Sequence, residues 1–226
     1  MRMARLNNIL SDIIRSGRVV VISPYSNFNI AFSIHLLEGL DNRGIGACID
    51  FGGSNISEHV VVDLCGDSEI RNGLCISSTR QYHVIKIVDE ASNCFGNEGT
   101  NVICITSRFG KRPGFEKMSY AVYSVRGCGP NLYRLSRISG GREEFYTFLK
   151  IANCRVVEYE IPQDLQYIID ELDVIVRNFG SVKASDFLKY VSKKLNMDRE
   201  SVLNLIRLGI SLGVIKYEGG YLFVYQ

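Results

Sequence analysis

No run of apolar residues in this chain approaches the ~20 that a membrane-spanning helix needs. The longest runs, such as Val19 to Ile22 and Val60 to Val62, are the length of strands. The N-terminus also lacks the unbroken apolar core of a secretory leader. It reads MRMARLNNILSDIIRSG, with Met3, Leu6, Leu10 and Ile13 at helical spacing and polar residues between them. The expectation is an amphipathic helix in an intracellular, cytoplasmic protein without membrane contact. No C-x-x-C pair occurs, and the seven cysteines (Cys48, Cys65, Cys75, Cys94, Cys104, Cys128 and Cys154) are an odd number accompanied by only three histidines. Zinc requires clustered ligands, so no metal site is expected. Most of these cysteines read as small buried apolar residues. Disulfides stay open, because intracellular proteins of hyperthermophiles do carry them. Strong charge of one sign is missing too: the formal net charge is only +2. That removes the broad basic footprint of many nucleic-acid binders and leaves room only for a local patch.

What is present is an ordinary globular composition, 46% hydrophobic and 22% charged over 226 residues, enough for one large domain or a medium and a small one. No internal repeat or low-complexity tract interrupts it. Val19 to Ile22, bounded by Gly17 and Pro24, reads as a buried strand. Asn27 to Leu40 reads as a mostly buried helix with Asn27 or Asn29 as its cap, and Ala47 to Phe51 as a second strand. Strand, helix and strand in that order signal a parallel sheet. Further on, His59 to Leu64 is a short apolar run, and residues 66–82 are polar. His83 to Val88 and Asn101 to Ser107 are strand candidates, and residues 109–117 are loop-like. Tyr120 to Val125 and Leu132 to Ile138 read as a hairpin across RGCGPN. Glu143 to Ile151 reads as a helix, and Arg155 to Ile161 as extended chain.

After Pro162 the pattern changes. Leu165 to Phe179, Lys183 to Leu195 and Arg199 to Leu212 have helical spacing, broken by Gly180 and by Asn196-Met197-Asp198, with Asp198 placed to cap the third helix. Val214 to Tyr217 and Tyr221 to Tyr225 then flank Glu218-Gly219-Gly220 as a hairpin. Three helices and a β-hairpin define a winged-helix (helix-turn-helix) domain. The expected organisation is therefore an α/β domain over residues 1–161 and a winged helix over residues 162–226.

The first domain resembles the RecA-like ATPase core of the RadA and KaiC type. The residues that carry the resemblance are Gly17 before VVVIS, the helix ending LLEGL at residues 36–40, and the strand ACIDF. They continue with VIKIVDE at residues 84–90, in the place of a Walker B strand, and VICITSR at residues 102–108, in the place of the sensor strand. The hairpin at residues 119–142 follows. The resemblance implies a mostly parallel sheet flanked by helices, and self-assembly or partnership with an active ATPase of the same kind. The chain departs from the family where catalysis needs it most. A Walker A loop wraps phosphates with glycine backbone N–H groups, a lysine and a hydroxyl for magnesium. Here the segment is Pro24-Tyr25-Ser26-Asn27-Phe28-Asn29-Ile30, with neither glycine nor lysine. ATP hydrolysis is not expected, no cofactor is expected, and no residue is assigned a catalytic role. Asp89 and Glu90 read as carboxylates at a strand end rather than magnesium positioners. Ser26, Asn27 and Asn29 read as helix-start residues rather than an anion site. His35, His59 and His83 have no nucleophile placed beside them.

Two basic regions point to DNA. In the loop after Ser107, Arg108, Lys111 and Arg112 are interleaved with Phe109 and Phe115. In the resembled family, loops at this edge contact DNA, with cations on phosphates and aromatics on bases. In a winged helix the third helix enters the major groove and the wing touches the backbone. That places Arg199, Asn204 and Arg207 on the third helix, Lys193 and Lys194 before it, and Lys216, Tyr217 and Tyr221 on the wing. Residues 163–226 nevertheless hold eight basic and eight acidic residues, with Asp170, Glu171 and Asp173 on the first helix. The sequence expectation is an accessory DNA-binding protein of recombination, repair or transcription regulation. The rival is a protein-docking subunit without nucleic-acid contact.

Overall fold

The computed structural model describes residues 2–53, 75–76, 82–90, 101–108 and 120–224. The run His59 to Leu64, most of the stretch 66–82, and the loop with Phe109, Lys111, Arg112 and Phe115 lie outside the described residues, as do Cys65 and Cys94. Contacts divide the chain into two compact units. One is Met1–Gly127 with Asn131–Tyr159, and the other is Cys128–Pro130 with Glu160–Gln226.

The first unit is a mixed α/β layer structure. Its strands are β1 (Arg2–Met3), β2 (Arg18–Ile22), β3 (Gly46–Gly53), β4 (Cys75–Ile76), β5 (Tyr82–Glu90), β6 (Asn101–Arg108), β7 (Ala121–Gly129), β8 (Leu132–Ser139), β9 (Arg142–Ala152) and β10 (Arg155–Glu158). Among the described residues its helices are α1 (Leu6–Ser16) and α2 (Ser26–Asp41). The sheet order is β1-β9-β8-β7-β2-β6-β5-β3-β4, with β10 also on β9. β3, β5, β6, β2 and β7 pair in parallel, whereas β8, β9 and β10 form an antiparallel meander. The continuous Val19-Val20-Val21 run follows from β2's place between β6 and β7. All three side chains are fully buried, Val19 and Val21 under the helices and Val20 on the opposite face with Cys104. α1 buries Leu6, Ile9, Leu10 and Ile13. Its first N–H group, on Leu6, donates to Glu158 Oε2 at 3.1 Å, a carboxylate at the positive end of the helix dipole.

Three expectations change. Residues 142–152 form β9, not a helix. Gly140 and Gly141 take φ of +57° and +75°, the left-handed pair of a tight hairpin turn, and Leu149 and Phe148 then pair with β8 in register. The N-terminal helix begins at Leu6 rather than Met3, because Arg2 and Met3 add a short strand to β9. Finally, Cys48, Cys104 and Cys154 are each disulfide-bonded. Treating the cysteines as apolar fillers fits buried Cys128, whose thiol is in no disulfide, and fails for these three.

The second unit contains α3 (Gln163–Phe179), β11 (Val182–Lys183), α4 (Ala184–Leu195), α5 (Arg199–Ser211), β12 (Ile215–Glu218) and β13 (Tyr221–Val224), with strand order β11-β13-β12. Leu165, Ile168 and Leu172 of α3 are buried, as are Phe187, Val191, Val202 and Leu222 of the other elements. Asp198 caps α5, its side chain accepting from Ser201 N at 2.9 Å. Gly219 and Gly220, at φ +58° and +88°, close the terminal hairpin. Among the described residues no helix is long and apolar enough to cross a membrane.

Candidate functional site

The turn between β2 and α2 is where a nucleotide-binding α/β sheet would hold phosphate. Here the turn is filled by its own side chains. Ser23 is buried, and its N–H donates to Thr106 O at 2.8 Å, tying the turn to β6. The Tyr25 hydroxyl accepts from Gly127 N at 2.9 Å. The phenol ring packs against Tyr133 with centroids 5.2 Å apart, and Phe28 stacks on Phe32 and packs tilted against Tyr133. A Cβ at Gly127 would lie 3.0 Å from the Tyr25 hydroxyl, so a larger residue there would push the Tyr25 ring aside by a few tenths of an ångström.

The expected caps are also reassigned. The N-cap of α2 is Tyr25, and no side chain bonds there as a cap. Asn27 Oδ1 instead accepts from the adjacent Phe28 N at 2.9 Å and from Tyr133 Oη at 3.0 Å, while Asn27 Nδ2 donates to Asn131 at 3.2 Å. Asn29 is buried and donates to Ser23 O at 3.2 Å. Its Oδ1, like His35 Nε2, is buried without a hydrogen-bond partner among the described residues. Burial holds the His35 imidazole below its ordinary pKa, against a smaller upward pull from Glu38. Asp89 and Glu90 close β5, and Glu90 sits opposite Arg108 of β6 in register. The side chains of Asp89, Glu90, Arg108 and His83, and all of His59, lie outside the described residues.

In the second unit α5 brings some of the expected residues together. Arg199, Asn204 and Arg207 are exposed, and Arg207 Nη1 lies 3.4 Å from Asn204 Oδ1. Asn204 and Arg207 share a face through their three-residue spacing. Lys193 at the end of α4 is exposed, and neither it nor Arg199 has a carboxylate partner among the described residues. Two of the expected cations are committed elsewhere. Lys194 Nζ lies 2.6 Å from Glu171 Oε1 and 3.1 Å from Tyr190 Oη, with the Tyr167 ring 5.6 Å away. The Glu171 hydrogen bond, first among several, raises the Lys194 pKa, and the same contact lowers that of Glu171. Lys216 Nζ lies 2.6 Å from Glu218 Oε2. These exposed pairs are each worth little to stability, but each carboxylate offsets the charge its lysine offers a phosphate. Tyr217 and Tyr221 of the hairpin are exposed.

Sequence reasoning passed over a third constellation. Asp12 of α1 accepts from the buried Tyr123 hydroxyl and from Arg137, and Arg137 Nε also pairs with Glu144 at 3.1 Å. Desolvation first, then the Asp12 contact, pushes the Tyr123 pKa above its ordinary value. Asp12 of this group also lines a cleft along α1, with Arg5, Asn8, Ser11 and Arg15. Its only advance signal was the spacing of Arg5, Asn8, Asp12 and Arg15 on the polar side of an amphipathic helix.

The fold and these sites define a mixed α/β unit joined to a three-helix, small-sheet unit. Compared with family models and with curated proteins, the chain matches none.

Proposed function

We propose that this chain is a non-catalytic relative of the RecA-like ATPases that binds DNA through a C-terminal winged helix, as an accessory factor in recombination, repair or transcription regulation. The observation that carries the non-catalytic half is the turn between β2 and α2. Tyr25, Asn27 and Phe28 fill it and bind the β7–β8 hairpin, where a phosphate loop needs glycines, a lysine and open backbone N–H groups. Phosphoryl transfer is largely electrostatic positioning, and this turn offers neither cation nor cradle. The RecA-like reading also draws support from β2 lying centrally with β6 and β7 parallel on either side.

For DNA, the support is the order helix, short strand, helix, helix, hairpin in residues 163–224, with Lys193, Arg199, Asn204 and Arg207 exposed around α5. Lys216 and Lys194 are secondary contacts, because each must leave a carboxylate first. Tyr221 at the hairpin suits a sugar or backbone contact. Arg108, Lys111 and Arg112 would add a second basic surface on the α/β unit.

Fluorescence anisotropy with labelled single- and double-stranded DNA tests the reading. Binding should weaken as salt rises, and an Arg199→Ala, Arg207→Ala double variant should reduce both affinity and salt slope. No binding even at low salt removes the DNA reading, and steady ATP turnover by the purified chain removes the non-catalytic one. A second reading, a protein-docking subunit of a larger complex, is favoured by α3. Its Phe179 is 77% exposed and its Val174 56% exposed. Such a partner, an active RecA-like ATPase or a second copy of this chain, would protect that helix end from hydrogen exchange.

A further inference from the structure

We infer that the first unit carries a separate nucleotide-phosphate site in the cleft along α1, on the far end of the sheet order from β3 and β4. The cleft has a volume of about 740 Å³, within the range of ligand pockets. It is lined by Arg5, Asn8, Ser11, Asp12 and Arg15 of α1 and its lead-in, together with Met3, Ala4 and Phe145. Arg5 and Arg15 are exposed, and neither has a carboxylate partner among the described residues. Among the described residues the one carboxylate in the lining, Asp12, already accepts from Arg137 and the Tyr123 hydroxyl, so it does not cancel the two arginines. Arg43 reaches the same wall, donating to Ser11 Oγ at 3.0 Å.

The result is a concave surface that brings two guanidinium groups without carboxylate partners among the described residues and an amide together with half-buried Phe145. Guanidinium groups recognise phosphate by paired N–H donors, and an aromatic edge with an exposed methionine accepts a base. The shared chemistry is a phosphate ester bearing a heterocyclic ring, whether a free nucleotide or one residue of a single strand. This site does not depend on α5, and it lies away from the filled turn after β2.

Isothermal titration of the full chain in magnesium-free buffer tests it with three probes: ADP, inorganic pyrophosphate and a short dT oligonucleotide. ADP should bind, pyrophosphate more weakly because it lacks the ring, and raised salt should weaken both. Arg5→Ala and Arg15→Ala, both at exposed positions, should each weaken ADP by about tenfold. Oligonucleotide binding without ADP binding, lost in the same two variants, assigns the site to a strand. The inference is overturned if none of the probes binds at low salt, or if binding survives both substitutions unchanged. The Arg199→Ala, Arg207→Ala variant should leave ADP binding intact, so failure of the winged-helix reading and failure of this site are separable.

Discussion

Gly209, near the end of α5, offers a measurable test of how the second unit is packed. A Cβ at that position would lie 2.6 Å from Ile215 Cδ1, 3.0 Å from Ile215 Cγ1 and 3.2 Å from Leu165 Cδ1. Ile215 and Leu165 are both buried, so the displaced methyl has little open space to enter. In the helix itself alanine is favoured over glycine by about 1 kcal/mol. Forcing an extra methyl into a filled core costs about 1–3 kcal/mol. The net expectation for Gly209→Ala is a loss of about 0–2 kcal/mol, opposite in sign to the intrinsic helix effect. The sharper quantity is the coupling to Ile215→Val. Alone, that change costs about 0.5–1.5 kcal/mol. In the alanine background it removes the Cδ1 atom that collides, so the double variant should be more stable than the sum of the singles by about 1 kcal/mol. Urea unfolding followed by circular dichroism gives the free energies, and native-state hydrogen exchange on α5 localises them. The close approach is refuted if Gly209→Ala alone stabilises by the full helix increment and the two changes add.

Tyr123→Phe keeps the buried ring and deletes the hydroxyl that Asp12 accepts from, so it should cost about 1–3 kcal/mol in denaturant unfolding, as expected for a bond to a charged group. His35 binds its proton less readily in the fold than its ordinary value of 6.5 because of burial. The unfolded chain therefore takes up the proton first, and this contribution is intact above that value and lost as the pH falls through the folded one; His35→Leu should flatten that part of a urea-midpoint profile. Reduction of the disulfides at Cys48, Cys104 and Cys154 should lower the melting temperature, with a loss of about 2–4 kcal/mol for a typical bridge, while amides of α3 and α5 exchange as before.

How much of this was readable without coordinates depends on whether the deciding partner was near in sequence. Asp198 and Ser201 are three residues apart, and the α5 cap was legible from that spacing. The apolar recurrence at Leu165, Ile168 and Leu172 identified α3 for the same reason. β9 was misread because Glu143 and Glu144 favour a helix start. The stronger signal was Gly140-Gly141, whose two left-handed residues turn the chain back onto β8. The disulfides stayed open because nothing local distinguishes a bridged cysteine from a buried thiol. The commitment of Lys194 to Glu171 spans 23 residues and two helices, and only the fold brings the two together. The missing glycines and lysine after β2 were plain in the sequence. That Tyr25 would fill the space they left was not, since its partners Gly127 and Tyr133 lie on β7 and β8.

That filling bears on whether the turn could hold a phosphate. An open turn that had merely lost its lysine would still present helix N–H groups to an anion. Here Phe28 N is taken by Asn27, Tyr25 N lies 3.3 Å from Ser23 Oγ, and the Tyr25 ring stands between the helix start and the hairpin. Restoring a lysine would therefore add a cation without a cradle, and removing Tyr25 would break the hydrogen bond to Gly127 and open a void beside Tyr133. Phosphate recovery would require replacing the turn together with its contacts on β7 and β8. The bonds that close the turn are the same ones that fasten α2 to the hairpin. On this argument the turn serves the α/β unit as a structural joint between α2 and the β7–β8 hairpin.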